Sequence, residues 1–242
     1  MNPHVKPYHT NATKKEEVAE MFNNISGSYD FLNRFFSLGI DVIWRKKALR
    51  IVKLSEPEII LDMATGTADF AILAARKGIG KQIVGMDISA GMIEVGNKKI
   101  RKGHLDKIIS LHIADSESIP LADSSVDVCM VAFGVRNFQN LRQGLIEIYR
   151  VLRPGGKIVV LEFSKPTSVL VKWLFGFYFK ILMPLIGRMI SRDKRAYSYL
   201  PESVEAFPSG DAFVNELSLA GFHQGKAQPL SGGIASIYCG VK

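Results

Sequence analysis

The feature that most constrains the fold of this chain is an apolar run that ends at an acidic residue, Asp62, and leads through a turn of small residues into a helical pattern at Phe70. About twenty residues further on, a second acidic residue, Asp87, ends the next strand-like run. A strand, a tight turn and a helix N-terminus are how α/β sheets hold nucleotide-like ligands, and a carboxylate after the second strand can accept hydrogen bonds from both hydroxyls of a ribose. The two features predict an adenosine-type cofactor; an ordinary helix cap is the alternative.

Strand and helix patterns alternate from residue 59 onward, which implies a parallel sheet covered by helices on both faces. The predicted strands are 59–63, 82–87, 108–113, 125–133 and 157–163, and the predicted helices are 69–77, 89–102 and 138–152. Residues 153–156, Arg-Pro-Gly-Gly, predict a turn before the last of these strands. A helix over 209–220 and two short strands near 222–228 and 234–240 close the chain.

Helical spacing also covers the N-terminal region, and residues 1–54 are predicted to form a helical cap. Its two apolar stripes consist of Val18, Met21, Phe22 and Ile25, and then of Phe31, Leu32, Phe35, Phe36 and Leu38. Residues 166–202 interrupt the alternation as an insertion with an apolar middle. We expect one domain over residues 1–242.

The composition of the turn discriminates between two classes of cofactor. A dinucleotide turn needs three glycines so that a pyrophosphate can approach the backbone and lie on the helix N-terminus, but the corresponding positions here are Ala64, Gly66 and Ala68. Asp69 would repel a pyrophosphate at the start of the helix. S-adenosylmethionine carries no phosphate, and its sulfonium and amino groups are positive. Asp62 and Asp69 therefore favour S-adenosylmethionine over NAD.

A third acidic residue, Asp115, follows the third predicted strand and is succeeded by Ser116. At that place Asp115 can accept a hydrogen bond from the exocyclic amine of adenine, and the backbone N–H of Ser116 can donate to a ring nitrogen. By itself such an aspartate is commonly a turn residue that caps its own backbone. Together with the other two acidic signals, the pair is predicted to contact adenine.

Four segments of the chain resemble the ubiquinone/menaquinone biosynthesis C-methyltransferase family. They are residues 29–33 (Tyr-Asp-Phe-Leu-Asn, with Ser37 and Trp44 after them), 133–137 (Phe-Gly-Val-Arg-Asn), 150–164 and 197–203. The resemblance covers roughly residues 18–242 and implies a seven-stranded, Rossmann-like class I methyltransferase fold, which ends in a helix and a hairpin. Three positions depart from the family pattern: Leu32 and Asp41 replace a methionine and a histidine, and Ala132 stands where relatives can have serine.

The resemblance implies methyl transfer from S-adenosylmethionine to a ring carbon of a prenylated hydroquinone such as demethylmenaquinol. The cofactor contacts of the family fall on Thr67, Asp87, Asp115 and Ser116, and Gly66 belongs to the same turn. No metal site is predicted. The alternatives are a methyltransferase that acts on another small molecule or on RNA with the same fold, and a non-catalytic scaffold that binds the cofactor.

Two residues just past the fourth predicted strand are the candidate catalytic groups. We expect Arg136 to stabilise the oxyanion charge that develops on the quinol, and Asn137 to orient the hydroxyl or a catalytic water. The alternative for Arg136 is a solvated or salt-bridged residue at the start of a helix. None of the five histidines lies in these motifs, so a histidine base is not expected.

A prenylated quinol resides in a bilayer, and residues 169–190 are the predicted membrane contact. Lysines, a proline and an arginine interrupt this segment, which leaves it short of the roughly 20 clean apolar residues of a membrane span. An amphipathic lid or an interfacial helix fits better, and a buried helix packed on the sheet is the alternative.

The net charge of +8 suits an anionic membrane surface, an anionic ligand or a nucleic acid. The chain has no basic stripe interleaved with aromatic residues, so no nucleic-acid partner is expected. Cys129 and Cys239 lie far apart in strand-like runs, which implies buried thiols in a reducing compartment. Because the N-terminus lacks the apolar core of a secretory signal, we expect a cytoplasmic protein, peripheral at the inner face of the membrane. The sequence leaves the oligomeric state open.

Overall fold

The protein is represented by a computed structural model, which describes residues 5–166, Gly176 and residues 194–242. Within these residues the strands are β1 (Ile59–Met63), β2 (Gln82–Asp87), β3 (Ile109–Ile113), β4 (Val126–Ala132), β5 (Leu152–Phe163), β6 (His223–Leu230) and β7 (Ala235–Val241). The helices are α1 (Lys14–Ser37), α2 (Ile40–Lys53), α3 (Asp69–Arg76), α4 (Ala90–Lys102), α5 (Leu141–Val151), α6 (Lys194–Ala206) and α7 (Asp211–Leu219). The predicted apolar stretch 169–190 lies, except for Gly176, outside the described residues.

The strands form one seven-stranded sheet in the order β3-β2-β1-β4-β5-β7-β6. Strands β1 to β5 run parallel, and β7 is antiparallel to both β5 and β6. Strand β1 therefore lies between β2 and β4, where the chain order reverses, and in open α/β sheets ligands bind at the carboxyl ends of the strands at such a point. The predicted alternation and the terminal hairpin are confirmed.

The start of β5 differs from the prediction. Leu152 already pairs with Val126, and Lys157 pairs with Val128, so the predicted turn 153–156 is a bulge inside a longer strand. Gly155 accommodates it with a φ of +79°, in the left-handed region that favours glycine. Proline and glycine correctly marked the irregular backbone, but they did not reveal that pairing with β4 begins before it.

Two apolar layers cover the sheet, as its parallel strands require. One face packs against α5 and α7, whose core side chains include Leu145, Ile148 and Phe213. The opposite face packs against α2, α3 and part of α4, with Leu49 and Phe70 in the core. Each fully buried aliphatic or phenylalanine side chain stabilises the fold by about 1.5–3 kcal/mol.

Helix α1 begins with a capping box and packs on α4. The Thr13 hydroxyl accepts a hydrogen bond from the Glu16 backbone N–H at 3.3 Å, and the Glu16 carboxylate accepts one from the Thr13 N–H at 2.8 Å. Its first apolar stripe, with Val18, Met21 and Ile25, is buried against a small cluster that includes Met92 of α4.

The second apolar stripe of α1 is mostly exposed. Leu32 is buried, whereas Phe31 and Leu38 are 62% and 83% exposed. Helix α1 ends at Ser37, and the chain turns through Leu38 and Gly39, both with positive φ, into α2. In the described part of the chain no helix is both long and apolar enough to cross a membrane.

Candidate active site

The loop after β1 is built around the buried carboxylate of Asp62. This carboxylate accepts hydrogen bonds from the Thr65 hydroxyl at 2.7 Å and from the Ala71 N–H at 3.1 Å, so it holds the turn against the first residues of α3. Burial raises the pKa of Asp62 to about 7, although these two hydrogen bonds act in the opposite direction. Ala64 and Gly66 have positive φ, which allows the tight reversal between strand and helix.

Asp87, the last residue of β2, ties that strand to the same loop. Its carboxylate accepts hydrogen bonds from the Gly66 N–H at 2.8 Å and the Ser89 N–H at 2.9 Å. Burial raises the pKa of Asp87, against the effect of these backbone donors. Each carboxylate oxygen can accept more than one hydrogen bond, so both oxygens can still receive a donor from a ligand.

Asp115 lies just beyond β3. It caps its own turn and it also lines the pocket, so its position is compatible with both roles considered for it from the sequence. Its carboxylate accepts a hydrogen bond from the Glu117 N–H at 3.0 Å, which is the turn cap, and it also lines the pocket. The Lys15 ammonium of α1 forms an ion pair with the same carboxylate, and this contact raises the pKa of Lys15. The beginning of α1 therefore reaches across the predicted adenine site.

One pocket collects the predicted cofactor residues at the carboxyl ends of β1, β2 and β3. Its lining includes all five of them: Gly66, Thr67, Asp87, Asp115 and Ser116. Asn137 lines the same pocket on the side of β4, whereas Arg136 is not among the described lining residues. The structure thus brings six of the seven predicted site residues together.

Arg136 lies behind the pocket in a buried ion pair. Its guanidinium is 2.8 Å from the carboxylate of Glu162 on β5, and the same nitrogen donates to the Phe133 carbonyl. The planar guanidinium also lies over the ring of Phe163, 5.6 Å from its centroid. This geometry is the salt-bridged alternative that the sequence left open, and the oxyanion role of Arg136 stays a prediction.

Asn137 occupies the end of a short 3-10 turn, Val135–Asn137, that follows β4. The hydroxyl of Tyr199, from α6, donates a hydrogen bond to the Asn137 side-chain oxygen at 3.2 Å. None of the described residues accepts a hydrogen bond from the Asn137 amide N–H groups, so these groups can donate to a ligand. The arrangement suits a residue that orients a hydroxyl or a water.

The helical cap supplies pocket residues to which the sequence analysis assigned no role. Tyr29 and Arg45 both line the pocket, from α1 and α2. Arg45 forms a buried ion pair with Asp41, the residue that replaces the histidine of the family pattern. Tyr29 stands in the first quoted motif, so that motif was the signal that could have identified it.

A lysine connects the cap to the cofactor loop. The Lys99 ammonium of α4 lies 2.6 Å from a carboxylate oxygen of Asp30 in α1. It also lies 2.5 Å from a carboxylate oxygen of Asp69 and 3.1 Å from the Thr67 hydroxyl. Thr67 in turn donates to Asp30. The neighbouring charges of Lys99 and arginines lower the pKa of Asp69 despite its burial. Thr67 is therefore held by the cap as well as by its own loop.

The acidic groups of the pocket fit a cationic ligand that carries hydroxyl groups. Asp62 and Asp87 are 1% and 8% exposed, and carboxyl groups there can accept hydrogen bonds from hydroxyls. A nearby cation would favour their ionised form against the effect of burial, whereas a diphosphate would oppose it. A Cβ added to Gly66 would meet no atom within 4 Å, so the backbone there borders open space in the pocket. These observations fit S-adenosylmethionine, as the sequence analysis expected.

Comparison with known proteins agrees with this assignment. The model of the ubiE/COQ5 methyltransferase family matches residues 10–242. The chain belongs to the ubiE/COQ5 methyltransferase family. The resemblance predicted from four short segments is thus confirmed for nearly the whole chain.

Members of the ubiE/COQ5 family and one solved structure show how far the similarity extends. A demethylmenaquinone methyltransferase of Bacteroides fragilis is 44% identical over 238 residues, 98% of this chain and 97% of the relative. A ubiquinone/menaquinone biosynthesis C-methyltransferase, UbiE, of Geotalea daltonii is 45% identical over 230 residues, 95% of this chain and 97% of the relative. A SAM-dependent methyltransferase of Thermotoga maritima matches with a TM-score of 0.63 at 17% identity, over 92% of this chain and 99% of that structure. The last comparison concerns the fold alone, and the predicted class I, Rossmann-like fold is confirmed.

Proposed function

We propose that this chain transfers the methyl group of S-adenosylmethionine to a ring carbon of a prenylated hydroquinone, converting demethylmenaquinol to menaquinol in menaquinone biosynthesis, and that it can serve ubiquinone biosynthesis as well. The observation that carries the proposal is the set of carboxylates at the ends of three consecutive strands around one pocket, Asp62, Asp87 and Asp115. They occur in a chain of the ubiE/COQ5 methyltransferase family.

Five residues are proposed to hold the cofactor. Asp87 accepts hydrogen bonds from the ribose, Asp115 and Ser116 contact adenine, and Gly66 and Thr67 border the remainder of the ligand. When bound, the cofactor supplies an electrophilic methyl group on a positively charged sulfur. The proposal is supported by the position of all five residues in the pocket lining.

The substrate side must align a ring carbon and accept protons. The ring carbon gains a methyl group and loses its hydrogen as a proton, so a net proton is released with each transfer. Asn137 is proposed to orient the quinol hydroxyl, because it lines the pocket and its side-chain oxygen is held by Tyr199. Alignment of the two reactants can lower the barrier by about 7 kcal/mol or more. No histidine lies among the described residues of the pocket lining, so water is proposed to take up the ring proton once the methyl group has been transferred.

Arg136 has two proposed modes of action. In one it stabilises the oxyanion directly, as the sequence analysis expected; in the other it holds the loop 133–137 in place through Glu162. The observed ion pair and the contact of Arg136 with the Phe133 carbonyl support the second mode.

The whole chain, residues 1–242, is proposed to act as one methyltransferase domain with a helical cap over residues 1–54. The support is that α1 and α2 contribute Tyr29 and Arg45 to the cofactor pocket itself. A substrate that resides in a bilayer also requires peripheral contact with a membrane, and we place the enzyme at the inner, cytoplasmic face. The apolar composition of residues 169–190 supports such a contact.

The test is an assay with methyl-labelled S-adenosylmethionine and a short-chain demethylmenaquinol kept in the reduced form. We expect label in a quinol whose mass has increased by one methylene unit. Asp87→Asn should abolish cofactor binding in calorimetry, whereas Asp106→Asn, at an exposed aspartate in the loop before β3, should leave it unchanged. Label found only in RNA would overturn the substrate assignment. Cofactor binding without turnover would indicate a scaffold, and binding of NAD in its place would contradict the cofactor.

A further inference from the structure

The outer side of the turn between α1 and α2 presents an exposed apolar surface. We define this apolar corner as Phe31, Phe35, Leu38 and Ile43, whose exposed fractions are 62%, 45%, 83% and 53%. The rings of Phe31 and Phe35 stack at 6.1 Å between centroids, so two of the four residues form one continuous surface. Large apolar side chains that cluster on a surface mark an interaction site, whereas single exposed ones need no explanation.

A basic stripe continues from the apolar corner along α2. It consists of Lys46, Lys47, Arg50 and Lys53, all of them exposed. These residues follow Ile43 at intervals of three or four, which places them on one face of the helix. The one acidic residue of α2, Asp41, is buried and paired with Arg45, so the exposed face of α2 carries only positive charge.

The apolar corner and the basic stripe lie on the same two helices that line the cofactor pocket and on the turn between them. Tyr29 of α1 and Arg45 of α2 line the pocket, while the residues of the corner and the stripe are exposed and none of them lines it. A surface that binds to the corner is therefore separated from the pocket by one layer of helices. That position is suitable for the transfer of a long apolar substrate from the bound surface to the pocket.

We propose that the apolar corner and the basic stripe together dock the protein on the surface of a bilayer that contains anionic lipids. The apolar side chains enter the boundary between headgroups and acyl chains, and the lysines and the arginine pair with anionic headgroups. Charge complementarity commits the proposal to lipid, because an apolar patch alone would equally suit a protein partner. The reason for the protein to approach a bilayer rests on the proposed function, but lipid binding itself can be measured independently of methyl transfer.

The test compares sedimentation of the full chain with two kinds of vesicle: phosphatidylcholine alone, and equal parts of phosphatidylcholine and phosphatidylglycerol. We expect binding to the mixed vesicles that weakens as salt is raised. Lys46→Gln/Lys47→Gln should lower the partition coefficient by about tenfold or more, since each basic residue near an anionic surface contributes about 1 kcal/mol. Phe31→Ser/Leu38→Ser should lower binding to the same vesicles at all salt concentrations.

Matched variants elsewhere on the surface serve as controls. Lys102→Gln/Lys107→Gln removes the same charge beside β3, and Ile146→Ser/Leu219→Ser removes two exposed apolar side chains on α5 and α7. Both should sediment with vesicles like the parent protein. Equal binding by parent and corner variants, or equal losses in corner and control variants, would overturn the proposal. So would a corner variant that changes the oligomeric state in velocity sedimentation instead of lipid binding, because the corner would then join copies of the chain.

Turnover separates a failure of this inference from a failure of the proposed function. With a short-chain quinol in detergent, Phe31→Ser/Leu38→Ser should retain the parental rate, because neither residue lines the pocket. With a long-chain quinol in mixed vesicles, the same variant should lose at least most of its rate. Vesicle binding without any methylation of quinol would leave the docking surface standing and refute the proposed substrate.

Discussion

Replacement of either member of the Arg136–Glu162 pair distinguishes the two modes proposed for Arg136. Glu162 is fully buried and accepts three hydrogen bonds: from the Arg136 guanidinium at 2.8 Å, from the Arg136 backbone N–H at 3.3 Å and from the Phe163 N–H at 2.9 Å. In Glu162→Gln an amide NH2 group replaces one carboxylate oxygen. Two hydrogen-bond donors, this amide group and the Arg136 guanidinium, can then face each other. The guanidinium then remains buried without a counterion.

The two single variants should differ in magnitude. Removal of one partner from a buried pair destabilises a protein by about 3–5 kcal/mol, and Glu162→Gln should reach that range because an arginine cannot lose its proton. Arg136→Met should have the smaller effect, about 1–3 kcal/mol, because the remaining carboxyl of Glu162 can become neutral. Burial already raises the pKa of Glu162, and it would rise further without the arginine charge that opposes this shift.

The assay is a double-mutant cycle that combines urea unfolding with turnover. Arg136→Met/Glu162→Gln removes both charges and should be more stable than Glu162→Gln alone. The exposed pair Arg142–Glu216, 3.1 Å apart, is the control, and its disruption should change the free energy of unfolding by about 1 kcal/mol or less. Turnover at saturating cofactor is then measured for the double variant.

If Arg136 acts by holding the loop, the double variant should retain kcat within a few fold, because the amide oxygen at position 162 can still accept a hydrogen bond from the backbone N–H of residue 136. If it stabilises the oxyanion directly, kcat should fall by about 10²–10³, even though stability is recovered. A Glu162→Gln variant that loses no more stability than the exposed control pair would show that burial does not set the cost of breaking this ion pair.

Two further predictions concern Asp62 and Gly134. Because the pKa of Asp62 is about 7 in the folded protein and near 4 when unfolded, its ionisation removes stability as pH rises from about 4 through about 7, by up to about 4 kcal/mol. Asp62→Asn should therefore gain stability relative to the parent over that range in urea unfolding without cofactor, and a difference that is flat with pH would contradict the shifted pKa. A Cβ at Gly134 would lie 2.5 Å from the Cβ of Ala64, so Gly134→Ala should push the loops after β1 and β4 apart, destabilise the fold by about 1–3 kcal/mol and weaken cofactor binding in calorimetry. Gly27→Ala, in α1 with no atom within 4 Å of the added Cβ, should instead stabilise by about 0.5–1 kcal/mol, and equal effects of the two alanines would show that the close approach at Gly134 is not limiting.

The strands could be predicted because each apolar run ends at a polar residue that the fold places at the edge of the sheet. The predicted bounds of β1 and β2 are those of the structure. The beginning of β5 could not be predicted, because residues 153–156 pair through a bulge whose register is set by β4, a strand distant in sequence. Local composition reports the irregular backbone, but it does not report the partner across the ladder.

The same distinction explains what could be predicted of the site. Asp87 ends β2 and Asp115 lies just beyond β3. In a parallel sheet the ends of consecutive strands meet, so local spacing sufficed to group the two residues. The orientation of Arg136 depends on Glu162 of another strand, and the part of Arg45 in the pocket depends on how α2 packs on the sheet. Neither contact can be predicted from the residues that are close to Arg136 or Arg45 in the sequence.

The second apolar stripe of α1 shows what a periodic pattern can and cannot specify. Leu32 of the second stripe lies seven residues after Ile25 and shares its buried face, whereas Phe31, one residue before Leu32, is rotated from that face by about 100° around the helix. One helix face that packs on α4 cannot therefore bury both stripes, and the structure buries the first. Periodicity predicts which faces of a helix avoid water, but it does not predict what covers those faces. For the second stripe, the neighbouring positive charge of α2 favours a lipid surface over a protein core.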